Sequence, residues 1–191
     1  MKRNLFLALL LTIVALPALQ AQNSQEDQLS KIERKWIEKQ ERERKDSLNF
    51  IQLKEALIDG SFVLEASSVR LDVTRTFFVT PNLNFLMMRG LDRGIVQIGQ
   101  NGPIVGPNGV GGITVEGNID RAEISTDKRG NVVFAYDIWG VNISAKVTIT
   151  LYKNSSRASA VVRPNFTRYD LYMDGDLKTL EDSAVFEGRS L

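Results

Sequence analysis

The chain reads as a mainly β protein: an antiparallel meander of about nine strands, closing into a barrel or splitting into a sandwich, preceded by a long charged α-helix. Three observations carry this. First, Val141, Ile143, Ala145, Val147, Ile149 and Leu151 alternate with Asn142, Ser144, Lys146, Thr148 and Thr150. That alternation places one set of side chains on each face of a pleated strand, with one face buried and the other wet. Such a strand belongs in an antiparallel sheet rather than a parallel one. Second, the strand-like runs after Ser61 are joined by turns too short for a crossover helix, so sequential neighbours pair antiparallel. Third, the residues before Ser61 carry helical spacing and dense charge, unlike anything after them. A meander of this length curls into a barrel or divides into two sheets, and the barrel is the preferred expectation.

In chain order, residues 1–21 read as a secretory signal peptide. Lys2 and Arg3 form a positive start, Leu5 to Leu16 is an apolar run too short for a comfortable membrane span, and Pro17 and Ala18 to Ala21 supply the break and small residues of a cleavage site. This predicts export, to the periplasm or outside of a Gram-negative bacterium, with no membrane anchor after cleavage. Residues 22–60 form the charged helical segment. Glu38/Arg42 and Glu41/Lys45 are opposite charges at helical spacing. Leu29, Ile32 and Trp36 make a short apolar seam, a coiled-coil candidate that points to a partner or a homodimer. Gln40, Glu43 and Ser47 then break the stripe, and Phe50, Leu53 and Leu57 restore it. The restored stripe is expected to pack on the β domain, against which the helix stops at Asp59-Gly60.

Residues 61–191 form the β domain. Phe62, Leu64 and Ala66 alternate, and the phase then slips to Val69 and Leu71, which predicts a turn or a bulge near Ser67-Ser68. Phe85 and Met87 alternate with Leu86 and Met88, so this strand is apolar on both faces and is either central in its sheet or covered by the helix. A second phase slip, between Ile119 and Ala122, predicts a bulge near Asp120-Arg121. Asp127 to Asn131 is a hairpin turn with Gly130 at the position of positive φ. Asp174-Gly175 reads as a further hairpin dipeptide, with Leu177 to Leu180 returning.

The chemistry is bounded by what is missing. There is no Cys and no His. Disulfides, thiolate metal sites, cysteine nucleophiles and histidine bases are therefore closed to this chain. With Lys2 and Arg3 removed, 22 basic residues face 23 acidic ones, so no global field draws nucleic acid. No cofactor or metal is expected. Asp170, Asp174 and Asp176 lack the spacing of a calcium loop. Asp137, Glu116 and Asp120 are the acids available to a carboxylate-based hydrolase. Arg157, Arg163 and Arg168 read as protection of a sheet edge.

Two groups remain as binding candidates. Residues 99–112 hold six of the 14 glycines and two of the five prolines. Gly106, Pro107, Asn108, Gly109, Gly111 and Gly112 form its loop, which lacks the Lys and following helix of a phosphate-binding loop. It is either a connection across the barrel end or a flap beside a pocket for a ligand or partner. Phe85, Met87, Phe134, Tyr136 and Trp139 are the aromatic and methionine residues that line an apolar pocket, or else simply fill the core.

The runs Gly106 to Val115, Ile149 to Asn154 and Val185 to Leu191 resemble an exported family of Bacteroides-type bacteria, domain of unknown function four-two-five-one. The resemblance covers roughly Leu57 to Leu191. It implies a Gram-negative exported protein and makes the glycine loop and the C-terminal segment parts of the domain. It brings no activity, substrate or catalytic residue. The leading expectation is a non-catalytic exported β domain that binds a small apolar molecule or a protein partner. Assembly through the N-terminal helix is the alternative, and a carboxylate hydrolase is the third.

Overall fold

The computed structural model describes residues 31–71, 75–100 and 109–190. The expected signal peptide, Leu29 of the helix seam, and Gly106, Pro107 and Asn108 of the glycine loop lie outside them. Residues 31–58 are helical (α1), and Asp46 and Ser47 lie inside the helical stretch. The chain divides into two compact units, residues 1–45 and residues 46–191. Within the first, residues 31–45 are solvent-exposed throughout, and Lys39 pairs with Glu43 one turn on.

The second unit is an eight-stranded antiparallel barrel with one extra strand. The strands are β1 (Ser61–Leu71), β2 (Arg75–Phe78), β3 (Phe85–Arg89), β4 (Arg93–Ile98), β5 (Ile113–Thr126), β6 (Val132–Trp139), β7 (Ser144–Leu151), β8 (Arg157–Pro164) and β9 (Leu171–Thr179). Neighbours follow the order β1-β3-β4-β5-β6-β7-β8-β9, and β9 closes on β1 from Phe62↔Thr179 to Leu71↔Leu171. The extra strand, β2, pairs with the far half of β1, beyond the reach of β3.

Alternation sets the inside. Val132, Phe134, Tyr136 and Ile138 of β6 face Ala145, Val147, Ile149 and Leu151 of β7 in the same buried core, which continues through Ala158, Ala160 and Val162 of β8. Val141, expected to open β7, is fully in solvent and belongs to the preceding turn. Both foreseen bulges are present. The β1–β9 register shifts between Ala66 and Ser68, and the β5–β6 register shifts between Asp120 and Glu123, where Arg121 takes φ 51°. Each bulge bends its strand, which a closing sheet requires. The hairpin at Asp127 is also as read. Gly130 has φ 85°, and the Asp127 carboxylate accepts the backbone N–H groups of Arg129 and Asn131. Those donors, chiefly the Asn131 backbone, hold the Asp127 carboxyl below its ordinary pKa.

Asp174-Gly175 is not a turn. Both residues sit inside β9, and a Cβ at Gly175 would collide with the backbone of Glu65 and Ala66. The glycine permits close approach of β9 to the β1 bulge, so barrel closure rather than chain reversal requires it. Nor do Arg157 and Arg163 guard an edge. They lie on β8, a strand paired on both sides, and bind Asp176 and Asp170 across the ladder.

The two ends of the barrel differ. Leu53, Ala56 and Leu57 of α1, spaced on one helical face, enter the core at the end where β1 starts. Phe62 and Phe134 meet there edge to face at 5.8 Å. Outside the wall, β3 is covered not by the helix but by the C-terminal segment. Val63, Phe85, Met87 and Ile95 form a second apolar cluster under Leu180 and Val185. Gln97, fully buried, fastens this strap. It donates to the carbonyls of Leu83 (3.0 Å) and Phe186 (2.8 Å) and accepts from Thr114 Oγ1 (2.9 Å) and Gly188 N–H (2.7 Å).

Candidate functional site

At the end opposite α1 the strands stop before the barrel is filled. The inward positions here are small or short: Val69 on β1, Val96 on β4, Ala145 on β7 and Val162 on β8. Large rings fill the other end, so a void remains at this one. It is a cavity of about 640 Å³. Its upper wall consists of strand ends and connections: Leu71, Phe77, Ile98, Ile113, Val115, Ile143, Pro164, Phe166 and Leu171. Asn142, Ser144, Thr167 and Tyr169 are its polar or part-polar lining, and among the described residues no charged side chain lines it. The rim is unusually apolar for a solvent-facing surface. Phe166 is 85% exposed and Tyr169 62%, and Leu71, Phe77 and Ile113 are each about half exposed or more. Contiguous exposed apolar surface of this kind marks a binding surface more often than chance does.

The glycine segment leaves from this mouth, because Ile98 and Ile113, the ends of β4 and β5, both line the cavity. Of its predicted residues, Gly109 and Gly111 take positive φ, and among the described residues nothing lies within 4 Å of a Cβ at Gly109. Gly112 packs so closely on the Ile98 carbonyl that a side chain has no room. The stems are pinned: the Gly99 N–H donates to Asn84 Oδ1 at 3.1 Å, and the Gln100 N–H donates to the Val110 carbonyl at 3.1 Å.

The five residues expected to line a pocket do not line this one. Phe85 and Met87 are on the outer face of β3 beneath the C-terminal strap. Phe134 and Tyr136 belong to the filled part of the core. Trp139 points outward into solvent, since it follows the inward Ile138. Aromatic content marked the core, whereas the cavity arises from small residues and from connections. The signal that could have found it is the set of apolar side chains at strand ends and in the connections beside them: Ile143, Phe166 and Tyr169.

Tyr136 is nevertheless unusual. Its hydroxyl is buried without a hydrogen-bond partner, and burial pushes its pKa upward. The candidate acids face away from the cavity. Asp137 binds Arg121 at 2.8 Å, Glu116 binds Arg93 at 2.7 Å, and Asp120 lies 3.8 Å from Arg121. Of the helix seam, Ile32 and Trp36 are exposed.

Comparison with known proteins adds a family. The family model described as "Domain of unknown function (DUF4251)" matches residues 44–177. The chain belongs to this family. A crystal structure of a DUF4251 family protein from Bacteroides eggerthii DSM 20697 is similar to it, with a TM-score of 0.63 and 38% sequence identity, over 78% of this chain and 99% of that one. No curated protein matches. The resemblance read from the glycine run and the C-terminal segment therefore holds, and the DUF4251 match starts within α1, ahead of the barrel's first strand.

Proposed function

We propose that this DUF4251 protein is an exported, non-catalytic binding barrel for one small apolar ligand. The cavity at the open mouth carries the reading. Its size is that of small-molecule sites, which hold about 300–1,000 Å³ and combine apolar walls with a few polar groups. An eight-stranded barrel has an interior just wide enough for side chains or for one small ligand. Here side chains fill one end and leave the other. Export rests on Lys2, Arg3 and the apolar run Leu5 to Leu16. No described helix is long and apolar enough to cross a membrane.

The test is native mass spectrometry of the protein purified from the periplasm without detergent. A discrete adduct, lost on denaturation and absent from Ile143→Trp, is the expected result. Ile143 is half-buried on the lining, so an indole there would occupy the void with little cost to the wall. A bare wild type that also fails to take up apolar probes would overturn the reading. A second reading, assembly through the helix, is favoured by exposed Ile32, Trp36 and Ile37. The same spectrum tests it: a dimer that becomes monomer in Ile32→Ser/Trp36→Ser supports a partner-binding helix.

A further inference from the structure

The ligand's head group can be inferred from the charges at the mouth, an argument that rests on the ligand-binding reading above. Among the described residues the cavity wall carries no charge. Most charged groups of the neighbouring wall are paired on the outer face: Arg163 with Asp170, Arg121 with Asp137 and Arg93 with Glu116. Arg70 lies over the Tyr172 ring, 4.4 Å from its centroid. Two arginines remain. Among the described residues, Arg75 and Arg168 form no ion pair.

Arg75 is placed by register. Val69 pairs with Phe77 and Leu71 pairs with Arg75 across β1 and β2. Directly opposed residues, and alternate residues along one strand, share a face. Val69, Leu71 and Phe77 all line the cavity, so Arg75 is on the cavity side of β2, at its outermost pair. Leu71 also pairs with Leu171 of β9. Arg168 is three residues before Leu171, between two lining residues, Thr167 and Tyr169. Both of these arginines thus belong to the β2-β1-β9 side of a mouth whose described lining is uncharged.

We infer that the ligand is a free single-chain amphiphile with an anionic head, its tail in the cavity and its carboxylate at Arg75, with Arg168 beside it. A planar guanidinium suits a carboxylate, which it can bind through two parallel hydrogen bonds. An uncharged interior below it accepts only the apolar part.

The experiment compares decanoate with decan-1-ol, by isothermal titration or by displacement of a fluorescent apolar probe, in wild type, Arg75→Gln, Arg75→Lys and Ile143→Trp. Arg75 is exposed, so the variants are expected to fold, which circular dichroism checks. Wild type is expected to prefer decanoate by about fivefold, the size of one partly screened charge contact. Arg75→Gln should abolish that preference while leaving decan-1-ol unchanged, Arg75→Lys should keep most of it, and Ile143→Trp should weaken both ligands. Each methylene from octanoate to dodecanoate should tighten binding about fourfold if the tail is enclosed. Equal affinity for acid and alcohol, or equal weakening of both by Arg75→Gln, overturns the anionic head and leaves the cavity reading standing. No binding of either overturns both. Stronger binding to phosphatidylglycerol vesicles than to decanoate overturns the free amphiphile in favour of a membrane surface.

Discussion

Replacing Gln97 by Leu tests whether the C-terminal segment is part of the barrel wall. Leucine keeps most of the volume but none of the four hydrogen bonds. Each is worth about 0.5–1.5 kcal/mol net, so their sum lies at roughly 2–6 kcal/mol. The upper part of that range is not reached, because the Phe186 carbonyl and Gly188 N–H regain water if the strap lifts. Lifting in turn uncovers Val63, Phe85, Met87 and Ile95. The strap's other polar ties are a 2.8 Å hydrogen bond from the Phe186 N–H to the Asn82 carbonyl, another of 2.8 Å from Ser183 to Glu65, and the exposed Arg89–Glu187 pair. The exposed pair adds little, about 0.2–1 kcal/mol. The expected loss for Gln97→Leu is therefore about 3 kcal/mol, read as a lower urea midpoint. The Gly188 amide should lose its protection from hydrogen exchange at the same time. Glu187→Gln is the control and should cost under about 1 kcal/mol. A loss under about 0.5 kcal/mol for Gln97→Leu, with Gly188 still protected, would refute the account of the strap.

Three further outcomes are expected. Tyr136→Phe should stabilise the protein by about 1 kcal/mol at neutral pH, since it removes a buried hydroxyl with no partner. The Tyr136 pKa is raised in the folded state, so its contribution is complete below the ordinary value of 10.0 and is lost as pH rises above it, when only the unfolded chain ionises. The wild type should therefore lose about 1.4 kcal/mol per pH unit above that point relative to Tyr136→Phe, measured by urea unfolding at about pH 9 and about pH 11; a destabilised Tyr136→Phe would mean that the hydroxyl holds a bound molecule. Gly175→Ala should cost about 2–3 kcal/mol through collision with the β1 backbone, and a cost near zero in thermal unfolding would restore the hairpin reading of Asp174-Gly175. Leu57→Ala, at a fully buried position where α1 enters the core, should cost about 2–5 kcal/mol; an effect below about 1 kcal/mol would show that the helix does not plug the barrel.

The comparison of sequence with structure is clearest along particular strands. For β7 and β8 the period of two was enough to name the buried residues, because each has one apolar and one mostly polar face. The bulges at Ser67-Ser68 and Asp120-Arg121 were legible as phase slips, since one extra residue moves every later side chain to the other face. The turn at Asp127 to Asn131 was legible from its local chemistry. β3 was not. Its two apolar faces predicted a central position or a cover by the helix, whereas the cover comes from Leu180 and Val185.

What the sequence determined by itself was local: the sidedness of strands such as β7 and β8, the Asp127 turn and the membership of the family, though not the continuity of β9 through Asp174-Gly175. Tertiary structure decided what depends on residues far apart in the chain. The pairing of β1 with β9 turns the meander into a closed barrel, and nothing in either strand's own pattern names the other. Closure gives Gly175 its reason and leaves one end empty. The cavity was illegible for the same reason. It has no periodicity of its own, because it lies where strands from the whole domain run out and short side chains leave space that the rings at the other end do not reach.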